Sequence, residues 1–353
     1  MKNYVQNINK GLISFFREVE RRYRLRKISP VLFDATRDFV LRPGKRIRPV
    51  LFLLGYQGYT KKRPPRVPGL FTAAAAIELL HDYMLIHDDV IDKAATRRGK
   101  PTLHRVFEKK IRGIGGTPVG ESLAVVAGDI LFALAIESFL AVREDPGRKE
   151  QALRHFAAAA AYTGTGEFID ILFGHAGLAT IRAKDITDTY IFKTAKYTFE
   201  GPLLMGAVLA GAPQGELRKL SRLGLAAGQA FQIYDDVLDT FGTQELIGKP
   251  VLTDLAESKK TLLVYTAFRR LKGKDKRRFT ALFGKKTKTG RDLSAFKRLI
   301  IDSGSYAFCL KRMKALQREA RAVCEDLAMK KRERLLLGAL IENLSPAKIL
   351  AAL

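Results

Sequence analysis

Residues 77–104 read IELLHDYMLIHDDVIDKAATRRGKPTLH, and this stretch decides the fold. An apolar run closes on three carboxylates, Asp88, Asp89 and Asp92, and Arg97 and Arg98 follow almost at once. Side chains four apart share a helix face, so Asp88 and Asp92 point the same way. His81, seven before Asp88, falls on the same stripe. Two stacked carboxylates beneath an apolar segment suit a hard cation. Mg²⁺ takes oxygen ligands and completes its shell with water and phosphate oxygens.

Residues 228–242, GQAFQIYDDVLDTFG, repeat the D-D-x-x-D spacing with Asp235, Asp236 and Asp239. One copy could be a solvated acidic turn. Two copies, each after an apolar helical run, in a chain of net charge +26 imply a cation held between two helices.

Working outward, nearly everything reads as helix. Apolar residues recur at three- and four-residue spacing over 5–23, 31–40, 48–59, 70–91, 122–142, 149–173, 184–209, 214–241 and 261–271, with further helix across 291–353. Pro30, Pro43, Pro64, Pro65, Pro68, Pro101, Pro118 and Pro146 fall between these runs, where helices stop or start. Strand-like alternation is absent. The expectation is an all-α bundle, one domain over 1–353, with cofactor sites facing inward. With 353 residues, 47% of them hydrophobic, the chain can fill a large core, and no Pro/Gly/Ser linker divides it.

Cys309 and Cys324 lack metal-ligand spacing and read as reduced thiols of a cytoplasmic protein. The N-terminal residues lack the apolar core of a signal peptide. No apolar run is expected to span a membrane, because Asp129 and Glu137 interrupt the best one, 121–142. The positive charge raises nucleic acid as a partner. The basic residues are nevertheless spread out, densest over 272–288, without aromatics interleaved for base stacking. No nucleic-acid partner is expected. A solvated basic face, polyanionic small substrates, or peripheral contact with an anionic membrane that receives a product fit the charge.

Smaller motifs follow the same logic, each with an ordinary structural alternative. Residues 41–49, LRPGKRIRP, cluster Lys45, Arg46 and Arg48 at a helix start, an anion site in the making. VAGDIL places Asp129 in an apolar helix, where a buried carboxylate needs a basic partner. GEFIDI poses the same question for Glu167 and Asp170. YIFKTAKYT offers Lys193 and Thr194 on a mostly apolar helix, the lysine asking for an anion. Gln232 precedes Asp235 by three and Asp239 by seven, on the second acidic face. Residues 248–261, GKPVLTDLAESKKT, supply Lys249, Asp254, Lys259 and Lys260 as a basic loop able to close over an anion.

Taken together, GKRIRP, IELLHDYMLIHDDVID, RRGKPT, AGD, KTA, GQAFQIYDDVLD and the D-x-x-x-x-K-x-T of 254–261 resemble the trans-isoprenyl diphosphate synthase (polyprenyl synthetase) family over about residues 44–261. The resemblance implies an all-α bundle around a deep central cavity, usually a homodimer, that condenses isopentenyl diphosphate with an allylic diphosphate. It implies two Mg²⁺ ions on Asp88 and Asp92 and a third on Asp235, with Asp89, Asp236 and Asp239 in support. Arg97, Lys193 and Lys259 would assist the allylic diphosphate. Lys45, Arg48, His81 and Arg98 would form the isopentenyl diphosphate pocket, and Thr194 and Gln232 would aim oxygen dipoles at the allylic cation. Metal and basic residues stabilise the departing diphosphate, and a dry cavity protects the cation. No side-chain base is evident for the final proton, which the released diphosphate can accept.

Two residues depart from the family pattern: Pro43 and Ser258 stand where glycine is usual. In the family, product length follows the positions four and five before the first aspartate, here Met84 and Tyr83. An aromatic at the farther one resembles enzymes that stop at C20, so geranylgeranyl diphosphate is expected, ahead of farnesyl or longer products. Ideal helix geometry places Met84, not Tyr83, under the carboxylates. A class I terpene cyclase shares the first motif but mixes Asn, Ser or Thr into the second. A non-catalytic synthase subunit typically loses an aspartate motif, and both are intact here.

Overall fold

The computed structural model describes residues 2–61, 67–111, 119–242, 253–285 and 287–343. Pro64, Pro65, Pro118 and Lys249, and the end of the expected C-terminal helical stretch, lie outside these. The helices are α1 (Lys2–Tyr23), α2 (Leu25–Ile28), α3 (Pro30–Leu41), α4 (Ile47–Tyr59), α5 (Leu70–Ile91), α6 (Leu103–Lys110), α7 (Gly120–Leu140), α8 (Pro146–His175) and α9 (Ala183–Thr189). A π-helix (Tyr190–Glu200) precedes α10 (Gly201–Leu209), α11 (Gln214–Phe241), α12 (Thr253–Ala256), α13 (Leu262–Arg270), α14 (Gly273–Gly284), α15 (Gly290–Asp302), α16 (Ser305–Glu325) and α17 (Lys331–Glu342). The helix starts carry local chemistry. Ser29 caps α3 by accepting from the Leu32 N–H at 3.3 Å with Pro30 at the first position, and Thr261 caps α13 by accepting from the Val264 N–H at 3.3 Å.

The chain divides into two compact units. The first comprises Met1–Ala157 with Pro202–Pro213. Its axis is α5, which packs along α7 and also against α1 and α4. Ala73, Ala74, Ala75 and Ala76 are fully buried, and these small side chains let helix backbones approach closely. Phe39, Phe52, Phe107 and Phe139 fill the surrounding core, each burial worth about 1.5–3 kcal/mol. By length and composition alone α7 could cross a bilayer, contrary to the expectation for this stretch. It is packed along α5 and α6, and its Glu137 is engaged by Arg22 and Tyr23.

The second unit comprises Ala158–Gly201 with Gln214–Leu353. Here α11 is the axis, packed between the π-helix and α16.

Helices α2, α6, α12 and α14 fall outside the expected runs, and two features that are not α-helix were not expected either. A two-residue antiparallel hairpin pairs β1 (Thr96–Arg97) with β2 (Lys100–Pro101), and it is the only strand pairing among the described residues. Arg98 (φ 54°) and Gly99 (φ 72°) occupy its turn, both with the positive φ that a type I′ turn requires. Glycine adopts this freely, whereas a left-handed arginine costs roughly 1–2 kcal/mol. The other is the π-helix, which interrupts the single helix expected over 184–209.

Candidate active site

The first acidic motif closes the last turn of α5 in the first unit, and the second spans the last two turns of α11 in the second. A helix C-terminus carries partial negative charge from its unsatisfied carbonyls, which favours cations. Carboxylates clustered there repel the helix end as well as one another, so each cluster calls for positive charge.

In the first unit that charge comes from the hairpin. Arg97 Nε donates to Asp89 Oδ1 at 2.7 Å, and its Nη2 donates to Asp88 Oδ2 at 3.3 Å. Asp89 is the buried member, and its Oδ2 has no hydrogen-bond partner. Burial raises its pKa despite Arg97. The Asp92 N–H closes α5 on the Asp88 carbonyl at 2.8 Å. Arg42 anchors the hairpin by donating to the Pro101 carbonyl at 2.9 Å and the Arg97 carbonyl at 3.3 Å.

The same unit assembles a cationic cluster beside α5. Lys45 is exposed, and Arg48 and His81 are half-buried. Burial first, and then the guanidinium groups of Arg48, Arg98, Arg97 and Arg46, hold the His81 imidazole well below its ordinary pKa range. Arg46, expected to join Lys45 and Arg48 in meeting an anion, is instead buried and spent internally. It donates to Asn9 Oδ1 at 3.1 Å, Glu78 Oε1 at 2.6 Å, and the carbonyls of Val40 and Arg42 at 3.1 and 2.7 Å. Arg98 stands 3.4 Å from Asp82 and 3.7 Å from Glu78. Glu78 and Asp82, one turn apart on α5, are the carboxylate footing of this cluster. Their apolar sequence neighbours give no signal of this role. Burial and the Glu78 charge push Asp82 well above its ordinary pKa.

Tyr83 packs its ring against His87 (centroids 4.7 Å apart) and Phe132 of α7 (5.0 Å), while Met84, next along, is half-buried. Asp129, expected to be buried, has a side chain 63% exposed and lies 3.4 Å from His87 Nε2. Its face of α7 is open to solvent, so an apolar sequence neighbourhood did not imply burial.

In the second unit the π-helix presents Lys193 and Thr194. Lys193 Nζ sits 2.7 Å from both Glu167 Oε2 and Asp170 Oδ2, so the GEFIDI carboxylates are its partners. Thr194 Oγ1 donates to Gln232 Oε1 at 2.6 Å, and Gln232 Nε2 donates to Asp236 Oδ1 at 2.8 Å. The π-helix lies unusually close to its neighbours. A Cβ on Gly228 of α11 would come within 2.3 Å of Ala195 Cα, and one on Gly166 of α8 within 2.4 Å of Lys193 N. Such segments recur at functional sites.

Asp236 and Asp239 are buried. Burial, reinforced by Asp235 and Asp239, pushes Asp236 up to about 7 against the hydrogen bonds from Tyr190 and Gln232. Burial and the charges of Asp236 and Asp239 raise Asp254 well above its ordinary range. Asp254 donates its N–H to Asp239 Oδ2 at 3.0 Å. Lys259 Nζ is 2.8 Å from Glu257 Oε2 and 4.0 Å from Asp254 Oδ1. Ser258 has φ 57°, so the backbone keeps the left-handed turn that glycine would take freely.

Among the described residues no three His, Cys, Asp or Glu side chains stand as a preformed metal cluster. The donor chemistry still fits a hard divalent cation, because each motif offers only carboxylate oxygens held at a repulsive helix end. An apolar cleft in the first unit, lined by Phe16, Val19, Phe33, Ala127 and Leu131 among others, includes none of the predicted site residues.

Comparison with known proteins places these features in context. Residues 29–300 match the family model described as polyprenyl synthetase. A short chain isoprenyl diphosphate synthase of Methanocaldococcus jannaschii is 30% identical over 306 residues, 87% of this chain and 84% of that protein. A geranylfarnesyl diphosphate synthase of Aeropyrum pernix is 32% identical over 322 residues, covering 88% and 94%. The crystal structure of a geranylgeranyl pyrophosphate synthase from Corynebacterium glutamicum, complexed with isoprenyl diphosphate and magnesium, superposes with a TM-score of 0.89 at 28% identity, over 97% of this chain and 98% of that one.

Proposed function

We propose, from the premise that the chain belongs to the polyprenyl synthetase family and is a trans-prenyltransferase, that it elongates an allylic diphosphate with isopentenyl diphosphate to give geranylgeranyl diphosphate. The observation that carries this reading is the pair of carboxylate motifs towards two helix ends, the first met by Arg97 and the second by the Tyr190 and Gln232 donors.

Asp88, Asp92 and Asp235 would hold three Mg²⁺ ions, with Asp89, Asp236 and Asp239 in support. Bound Mg²⁺ would neutralise the allylic diphosphate and favour its departure. Arg97, Lys193 and Lys259 are the side chains for the diphosphate oxygens, and each must exchange a carboxylate partner for the substrate. Lys45, Arg48, His81 and Arg98 take isopentenyl diphosphate. Arg46, Glu78 and Asp82 fix that cluster from beneath. Thr194 and Gln232 orient oxygen lone pairs towards the carbon that becomes cationic, in a setting that excludes water. Tyr83, backed by Phe132 and followed by Met84, would close the far end of the chain pocket.

The length of the product rests on Tyr83, since the relatives include both C20 and C25 synthases. The two units act as one polyprenyl synthetase domain, which the family match across both supports. We take the enzyme to be a cytoplasmic homodimer. Exposed Val126 and Leu140 in the first unit and Phe168 and Leu172 in the second are apolar surface that a second copy would cover. Asp88→Asn and Asp235→Asn test the reading. Each should lower turnover by about a hundredfold or more and weaken the Mg²⁺ dependence. Wild-type turnover in either would contradict it.

A further inference from the structure

The second acidic motif does more than offer oxygens. Directly and through Tyr190, it holds both ends of the lysine-bearing segment 254–262. At one end Asp239 Oδ2 accepts the Asp254 N–H at 3.0 Å. At the other, the Leu262 N–H, the first residue of α13, donates to the Tyr190 hydroxyl at 2.8 Å, and that hydroxyl in turn donates to Asp236 Oδ2. Lys259 and Lys260 lie between the two ties. Tyr190 is itself buried, 8% exposed at the head of the π-helix. One phenol therefore touches three elements: α11 through Asp236, α13 through Leu262, and the π-helix that carries Lys193 and Thr194.

We propose that Tyr190 is a positioning residue that couples the lysine-bearing segment 254–262 to the metal-binding carboxylates of α11. This rests on the prenyltransferase reading above. The hydroxyl uses its proton on Asp236 and a lone pair on the Leu262 amide. Asp236 is thereby aimed, and the start of α13, with the lysines before it, is held against the same carboxylates. Phenylalanine would keep the ring and lose both bonds, leaving a partly buried amide without its acceptor and Asp236 with Gln232 as its remaining side-chain hydrogen-bond donor.

The test compares full-length wild type, Tyr190→Phe and Leu262→Pro. Proline is tolerated at the first position of a helix, so the second variant deletes the amide donor and spares the phenol. In ligand-free protein, hydrogen exchange over 254–262 should rise at least tenfold in Tyr190→Phe while the first half of α11 stays protected. In Leu262→Pro the remaining amides of the segment should rise likewise. Binding of inorganic diphosphate with Mg²⁺, read by calorimetry, should weaken about five- to tenfold in Tyr190→Phe. Its kcat should fall about tenfold, with KM for isopentenyl diphosphate within twofold of wild type. Unchanged exchange over 254–262 in both variants, or a rise that spreads equally through α11, would overturn the coupling. Failure of wild type itself to bind Mg²⁺-diphosphate would instead count against the functional reading, since the exchange measurement needs no ligand.

Discussion

Asp82 is a residue whose cost can be measured. Burial and Glu78 raise its folded pKa above the ordinary value of about 4. A raised carboxyl contributes its full stability below the unfolded pKa and loses it as pH rises towards the folded one. Asp82→Asn removes that loss, so its melting temperature should exceed wild type by a margin that grows as pH increases above about 4. A margin independent of pH would show that Asp82 titrates as it does in the unfolded chain. His81 runs the other way. Its folded pKa is depressed, so the stability it contributes is present above about 6.5 and lost on acidification. At Tyr83 the readout is product length. Tyr83→Ala opens space in front of Phe132 and should shift products beyond C20, and an unchanged distribution would remove Tyr83 as the floor.

At the level of elements, much was legible because long amphipathic or apolar runs end at sharp signals. The structure reproduces the expected bounds of α5 and α11, the two helices that end in acid. What was not legible has physical reasons. Apolar and aromatic residues are spread through 190–200, so their spacing does not choose between an α-turn and a π-turn, which holds under one residue more. Glycines on two other elements, Gly166 and Gly228, make room for it, and that relation exists only in the fold. The two-residue strands were too short to alternate. Gly228→Ala probes the π-helix directly. Its Cβ would overlap the Ala195 backbone, an overpacking cost of about 1–3 kcal/mol. The variant should melt a few degrees lower and lose turnover through displaced Lys193 and Thr194. Wild-type turnover and melting would show that the close approach is dispensable.

For the whole molecule, the acidic motifs stand out because the chain around them is so basic, with a net charge of +26. Basic groups meet the carboxylates one by one: Arg97 at Asp88 and Asp89, Lys193 at Glu167 and Asp170, Lys259 at Glu257. The ligand-free protein thus pairs with itself the charges that catalysis would spend on substrate and metal. The motifs and the sequence positions of these charges were readable in advance, but the pairings were not, because the hairpin that turns Arg97 back onto Asp88 and Asp89 and the packing of the π-helix that brings Lys193 to Glu167 and Asp170 exist only in the fold. The most direct test is to incubate purified protein with Mg²⁺, labelled isopentenyl diphosphate and, separately, dimethylallyl, geranyl and farnesyl diphosphate, and to resolve the chain lengths formed. The account predicts condensation that requires Mg²⁺ and ends mainly at C20. Folded protein that condenses none of the three primers would contradict it.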